Sequence, residues 1–183
     1  SISPNMATKA ESMLLGYCSA RAEPFSSQQG PRALTSLRQM VQDECVNRFS
    51  DASPAYMYTL VLPTGLGKTL TSLRVALKAC QFGMCNRIIY VAPYLSILSQ
   101  ATRDVRRATG LEVLEHHHLS AISATGAENE GFKDGLPTGN DDTTMLDSWL
   151  APVVTTTFNQ FFRALFPGRA QHTMRLQALH GAF

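Results

Sequence analysis

Seven residues in the first half of the chain, Pro63-Thr64-Gly65-Leu66-Gly67-Lys68-Thr69, have the types and spacing to hold a row of phosphates. Glycine at 65 and 67 lets successive backbone N–H groups turn inward around phosphate oxygens, where a side chain would obstruct them. Lys68 has the reach for β- and γ-phosphates, and the Thr69 hydroxyl is a ligand for Mg²⁺. A helix starting here would turn its positive N-terminal end toward the same anion. The general pattern opens on glycine, and Leu62 takes that place; the Pro-Thr-Gly-x-Gly-Lys-Thr core is intact. A second Pro-Thr-Gly at 137–139 runs into Asn140 and lacks the Gly-Lys-Thr that would complete it.

Such a loop needs a strand before it and a helix after it. Tyr56 to Leu62 is an apolar, strand-favouring run of the kind buried in a parallel sheet. Thr69 to Phe82 places Leu70, Leu73, Leu77 and Cys80 on one helical face. Further along, Arg87 to Ala92 predicts a strand stopped by Pro93, Ser96 to Thr109 a helix, and Leu111 to His117 a third strand. Pro152 to Thr156 predicts another strand, and Asn159 to Phe166 a helix with Phe162, Leu165 and Phe166 facing inward. A helix around Met174 to Leu179 then leads to His180–Phe183, the start of one more strand. Upstream, Leu34, Leu37, Val41 and Cys45 recur at helical spacing, which predicts a helix over Thr35 to Phe49 capped by Thr35. The alternation of strands and helices predicts an α/β fold with a mainly parallel sheet. Ala7 to Tyr17 reads as a short helix and Arg21 to Pro31 as a linker, so the expected organisation is a helical N-terminal arm (1–33) and a lobe (34–183).

With 183 residues and 44% hydrophobic content, the chain can bury a core, which excludes disorder throughout. No apolar run approaches the roughly 18–20 residues of a transmembrane helix, so no membrane partner is expected. Sixteen basic against fourteen acidic residues do not announce nucleic acid by charge alone. The distribution is more telling. Ser148 to Phe183 holds Arg163, Arg169 and Arg175 and no acid, after an acidic stretch between Ser120 and Asp147. Cys18, Cys45, Cys80 and Cys85 form no C-x-x-C pair and read as reduced thiols of a cytoplasmic protein. His116, His117 and His118 alternate across a strand, which disfavours a shared metal.

A phosphate loop serves kinases, GTPases and motors alike, and the flanking segments narrow the choice. Pro-Thr-Gly-x-Gly-Lys-Thr resembles motif I of superfamily 2 helicases. Arg87 to Gln100 is similar to motif Ia, a strand, a proline and a helix bearing Leu and Gln. Val153 to Phe161 resembles the segment that precedes the acidic motif II. With Leu37-Arg38-Gln39, Gly67 to Arg74 and Trp149, the resemblance is strongest to the CRISPR-associated helicase of type I interference and runs from Leu34 to Phe183.

The resemblance implies a RecA-like lobe that takes ATP and Mg²⁺. Lys68 and Thr69 would be catalytic, Thr69 the metal ligand, and Pro63 to Thr69 with Arg38 and Gln39 the nucleotide contacts. Pro93, Tyr94, Gln100, Thr155 and Thr156 would touch single-stranded DNA. The implied partners are a CRISPR surveillance complex and an HD nuclease, whose His-Asp dyad is absent here. The Asp-Glu box of that family does not follow Val153 to Phe161, and the chain stops where the strand leading into it is expected. These residues are therefore expected to bind nucleotide without turning it over. Two other readings fit the loop: a non-enzymatic module binding nucleic acid or a protein partner, and a small P-loop kinase. The kinase would need an acceptor lid, which the acidic 120–148 stretch does not resemble.

Overall fold

The computed structural model describes residues 1–21, 29–55, 57–116, 148–168 and 170–183. They form two compact units, a helical one from Ile2–Asn86 with Arg103–Leu111 and a sheet-bearing one from Arg87–Thr102 with Glu112–Phe183.

The helical unit is built on α1 (Pro4–Ala20), α2 (Gln29–Asp51) and α3 (Lys68–Gln81). Ser3 caps α1 by accepting the Met6 N–H at 3.3 Å, and Pro4 occupies the first turn, where a missing N–H costs nothing. The same tolerance lets α2 begin at Gln29, ahead of the expected Thr35, with Pro31 in its opening turn. The end of the expected linker is thus helix, while 22–28 lie outside the described residues. On α1 the buried side chains are Ala7, Ala10 and Leu14; on α3 they include Leu73, Ala76, Leu77 and Cys80, and the two helices pack together. Small residues on both surfaces allow that close approach. On α2 the buried positions are Gln42, Val46 and Phe49, whereas Leu34 and Leu37 of the expected apolar stripe are exposed.

Arg74 of α3 ties the three helices. Its Nε donates to Glu11 Oε1 of α1 at 3.0 Å and its Nη1 to Asp43 Oδ1 of α2 at 2.5 Å. Glu11 also accepts from Gln81 Nε2 at 2.7 Å. Burial alone would lower the Arg74 pKa, but the hydrogen bonds and charges of Asp43 and Glu11 outweigh it and raise the pKa above the ordinary value.

Tyr56 to Leu62 departs from expectation: residues 57–62 form no strand, and Met57 and Val61 are 83% and 84% exposed. An extended segment becomes a strand only when a neighbour takes its N–H and C=O groups, and no described strand pairs with this one. Tyr58 instead packs edge-on against Phe49, ring centroids 4.9 Å apart.

The second unit holds β1 (Ile88–Ala92), β2 (Val113–His116) and β3 (Val153–Thr157) in the order β1-β3-β2, all parallel. Between and after them run α4 (Leu95–Thr109), α5 (Phe158–Leu165) and α6 (Ala170–Leu179). The central strand, β3, is paired on both sides, and Val153 to Thr156 are buried. On the outer edge of β1, Ala182 bridges Arg87 in parallel and Phe183 exchanges hydrogen bonds with Arg87 and Ile89, so an isolated bridge stands where a strand was expected after His180. The buried Arg87 guanidinium donates to the carbonyls of Ala151 at 3.2 Å and Ala178 at 3.1 Å. Ala178 lies in the last turn of α6, where a cation is favoured, although burial lowers the Arg87 pKa.

The inward face of α5 also differs from expectation. Phe162, Leu165 and Phe166 are exposed; Gln160 and Ala164 are buried, and Phe161 is half-buried against Trp149, Ala151, Val154, Ala164 and Ala178. A small residue lets this helix lie close to the sheet, and Gln160 can enter because its Oε1 accepts from Arg175 Nη1 at 3.2 Å. Among the described residues no helix is long and apolar enough to cross a membrane.

Because Arg74 cannot shed its charge, Glu11→Ala should destabilise the chain by about 2–4 kcal/mol, read as a lower urea midpoint. Arg48→Ala, which removes an exposed i,i+4 pair with Glu44, should change it by less than about 0.5 kcal/mol.

Candidate functional site: the loop at the head of helix α3

The chain turns at Gly65 and Gly67 with φ of +87° and +79°, the left-handed region that glycine enters without strain. Gly67 is the N-cap of α3 (φ +79°, ψ +38°) and, having no side chain, forms no side-chain cap. Its carbonyl accepts both the N–H and the hydroxyl of Thr71 at 3.0 Å, which anchors the first turn. The leading N–H groups of α3 are therefore available to an anion. A Cβ at Gly65 would meet nothing within 4 Å, so the space over the loop is open. Lys68 is exposed and Thr69 half-buried beside it. An open turn, a helix start with no side-chain cap, an exposed ammonium and a hydroxyl fit a polyphosphate with its Mg²⁺.

Two side chains of α2 brace this loop. Arg38 Nε donates to the Gly65 carbonyl at 2.8 Å. Gln42 is buried, hydrogen-bonds Cys18, and its Nε2 stands 3.7 Å from where a Gly67 Cβ would sit. Arg38 and Gln42 are one helical turn apart, hence on one face; Gln39 is about 100° round the helix and exposed. The i,i+4 step from Arg38 was the available signal for Gln42. The Asp-Glu step at 43–44 is committed elsewhere, Asp43 to Arg74 and Glu44 to Arg48.

The residues expected at nucleic acid divide into two groups, both in the sheet-bearing unit. Pro93, Tyr94 and Gln100 are exposed, just beyond β1 and on α4. Thr155 and Thr156 are wholly buried, and the Thr155 hydroxyl lies 2.7 Å from that of Thr102, which donates to the Leu98 carbonyl at 2.9 Å. In this arrangement the two threonines pack the sheet against its helices and present no hydroxyl to an external strand. His116 closes β2, buried edge-on to Trp149 with ring centroids 5.5 Å apart; His117 and His118 lie outside the described residues.

Residues 29–168 match the family model described as type III restriction enzyme, res subunit, a span containing the loop, all three strands and α5. The chain is also 30% identical over 177 aligned positions, 87% of its length, to the CRISPR-associated nuclease/helicase Cas3 of Haloferax volcanii. It spans 19% of the length of that protein.

Since both glycines sit at positive φ, Gly65→Ala and Gly67→Ala should each cost about 1–2 kcal/mol in urea unfolding, from backbone strain alone at the open Gly65 position.

Proposed function

The chain belongs to the type III restriction enzyme res-subunit family, a helicase family, and from that premise we propose that it is the nucleotide-binding lobe of an ATP-driven translocase acting on single-stranded DNA. The observation that carries the reading is the glycine turn opening onto the uncapped head of α3, with Lys68 and Thr69 as the next two residues. In this proposal the backbone of Pro63 to Gly67 cradles the phosphates, Lys68 neutralises the β- and γ-oxygens, and the Thr69 hydroxyl holds Mg²⁺. Thr69 would hold the metal, which when bound would supply positive charge to offset that of the phosphates. Arg38 is a positioning residue, fixing the loop through the Gly65 carbonyl.

The nucleic-acid side of the proposal rests on Pro93, Tyr94 and Gln100, exposed where the chain leaves β1. The buried Thr155 and Thr156 are left to packing. The name of the Haloferax relative, a CRISPR-associated nuclease/helicase, supports a place in CRISPR defence beside a nuclease; a surveillance complex as partner and a cytoplasmic location belong to the same proposal. Among the described residues Asp43 and Glu44 are engaged by arginines, and no Asp-Glu box follows β3 in the sequence, so in this proposal these residues bind nucleotide without turning it over.

Titration of a fluorescent ATP analogue tests this. Lys68→Ala should weaken binding by about ten-fold or more, with hydrolysis at background whether or not single-stranded DNA is added. Equal binding by the variant would overturn the loop's role. DNA-stimulated hydrolysis by the chain would overturn the absence of turnover.

A further inference from the structure

We propose that Tyr94 and Phe158, continued by Phe162, form a stacking platform for unpaired nucleobases at the carboxyl end of the sheet; the inference rests on the nucleic-acid reading above and adds that bases, as well as phosphates, are gripped.

Strands β1 and β3 are hydrogen-bonded neighbours, parallel and in register to their last residues, Ala92 opposite Thr157. Neighbouring strands lie about 4.8 Å apart, so both chains leave the sheet at one level, side by side. The first large side chain after β1 is Tyr94, and the first after β3 is Phe158. They are 67% and 49% exposed, and Phe162, one turn further along the same face of α5, is 54% exposed. Ligands of parallel α/β sheets gather at this carboxyl edge.

Packing accounts for these rings only in part: Phe162 meets Phe161 edge-on, ring centroids 6.0 Å apart, and is still half exposed. On α5 the fully buried positions are a glutamine and an alanine and Phe161 is half-buried, while Phe158 and Phe162 face outward. A helix that serves only its own core has the opposite arrangement. Charge selects the occupant. Ser148 to Phe183 contains no Asp or Glu, Arg163 is exposed on α5 beside Phe162, and Pro93 to Thr102 carries no charged side chain. A polyanion approaching this edge therefore meets no carboxylate from either segment. The two phenylalanines carry no hydrogen-bonding group and recognise through ring faces, and every base has a π-face of its own; the platform is indifferent to sequence and needs bases that are not paired.

The test uses the 183-residue chain and two labelled oligonucleotides of equal length and charge, an oligothymidylate and its abasic counterpart, with binding followed by anisotropy at fixed low salt. The oligothymidylate should bind about ten-fold more tightly than the abasic strand. Phe158→Leu should erase most of that advantage and leave abasic binding unchanged, Tyr94→Leu should erase most of it as well, and Phe158→Tyr should retain it. Because Phe158 is half exposed, its leucine variant should keep the wild-type urea midpoint. Equal binding of both strands by the wild-type chain would overturn the platform and leave a backbone-only nucleic-acid reading standing. Full oligothymidylate binding by Phe158→Leu would overturn it too, assigning the stripe to a protein surface. No binding of either strand would overturn the nucleic-acid reading and the platform together.

Discussion

A buried guanidinium that cannot lose its charge sets the geometry of the helical unit. Arg74 lies in α3 below the phosphate loop, and a cation there must be met by anions placed to reach it. Glu11 of α1 and Asp43 of α2 supply them, so the demand of one side chain fixes two helices about a third. The helix recruited through Asp43 is also the one bearing Arg38, which donates to the Gly65 carbonyl, and Gln42, whose side chain lies over Gly67. Holding α2 at α3 therefore holds the brace at the loop.

The sheet-bearing unit solves a different problem. A parallel strand paired on both edges has no face open to water and needs side chains that fill space on each. Val153 and Val154 do so without polar groups, and Thr155 does so by sharing a hydrogen bond with the Thr102 hydroxyl of α4. The buried Arg87 finds two carbonyls, one at the end of α6, and so joins the first strand to the last described helix. With its interior so occupied, this unit exposes Pro93, Tyr94 and Phe158 at its carboxyl edge, the place the proposal gives to nucleic acid.

Features governed by short stretches of backbone were legible in the sequence. The glycine turn, the start of α3 and the strand ending before Pro93 depend on a few consecutive residues, and the structure places each within about two residues of its expected bounds. The α/β fold with a parallel sheet followed from the alternation of those pieces. Features that depend on a partner were not legible. Tyr56 to Leu62 has strand composition, yet a strand is a property of a pair. The periodicity of Phe162, Leu165 and Phe166 marks a face of α5 without saying whether that face is covered. Thr155 and Thr156 have hydroxyls suited equally to a phosphate and to a buried neighbour, and only Thr102, 53 positions away, decides for Thr155. Gln42 could be separated from Gln39 only by asking which glutamine shares a face with Arg38.

The central claim is that backbone N–H groups of the loop and of the head of α3 hold phosphate, and it is most directly tested by amide chemical shifts of the isotope-labelled chain. ATP with Mg²⁺, and ADP with Mg²⁺, should move the amides of residues 65–70, while adenosine, which has no phosphate, should leave them in place. Shifts caused equally by adenosine, or an unmoved loop under saturating ATP, would contradict the account.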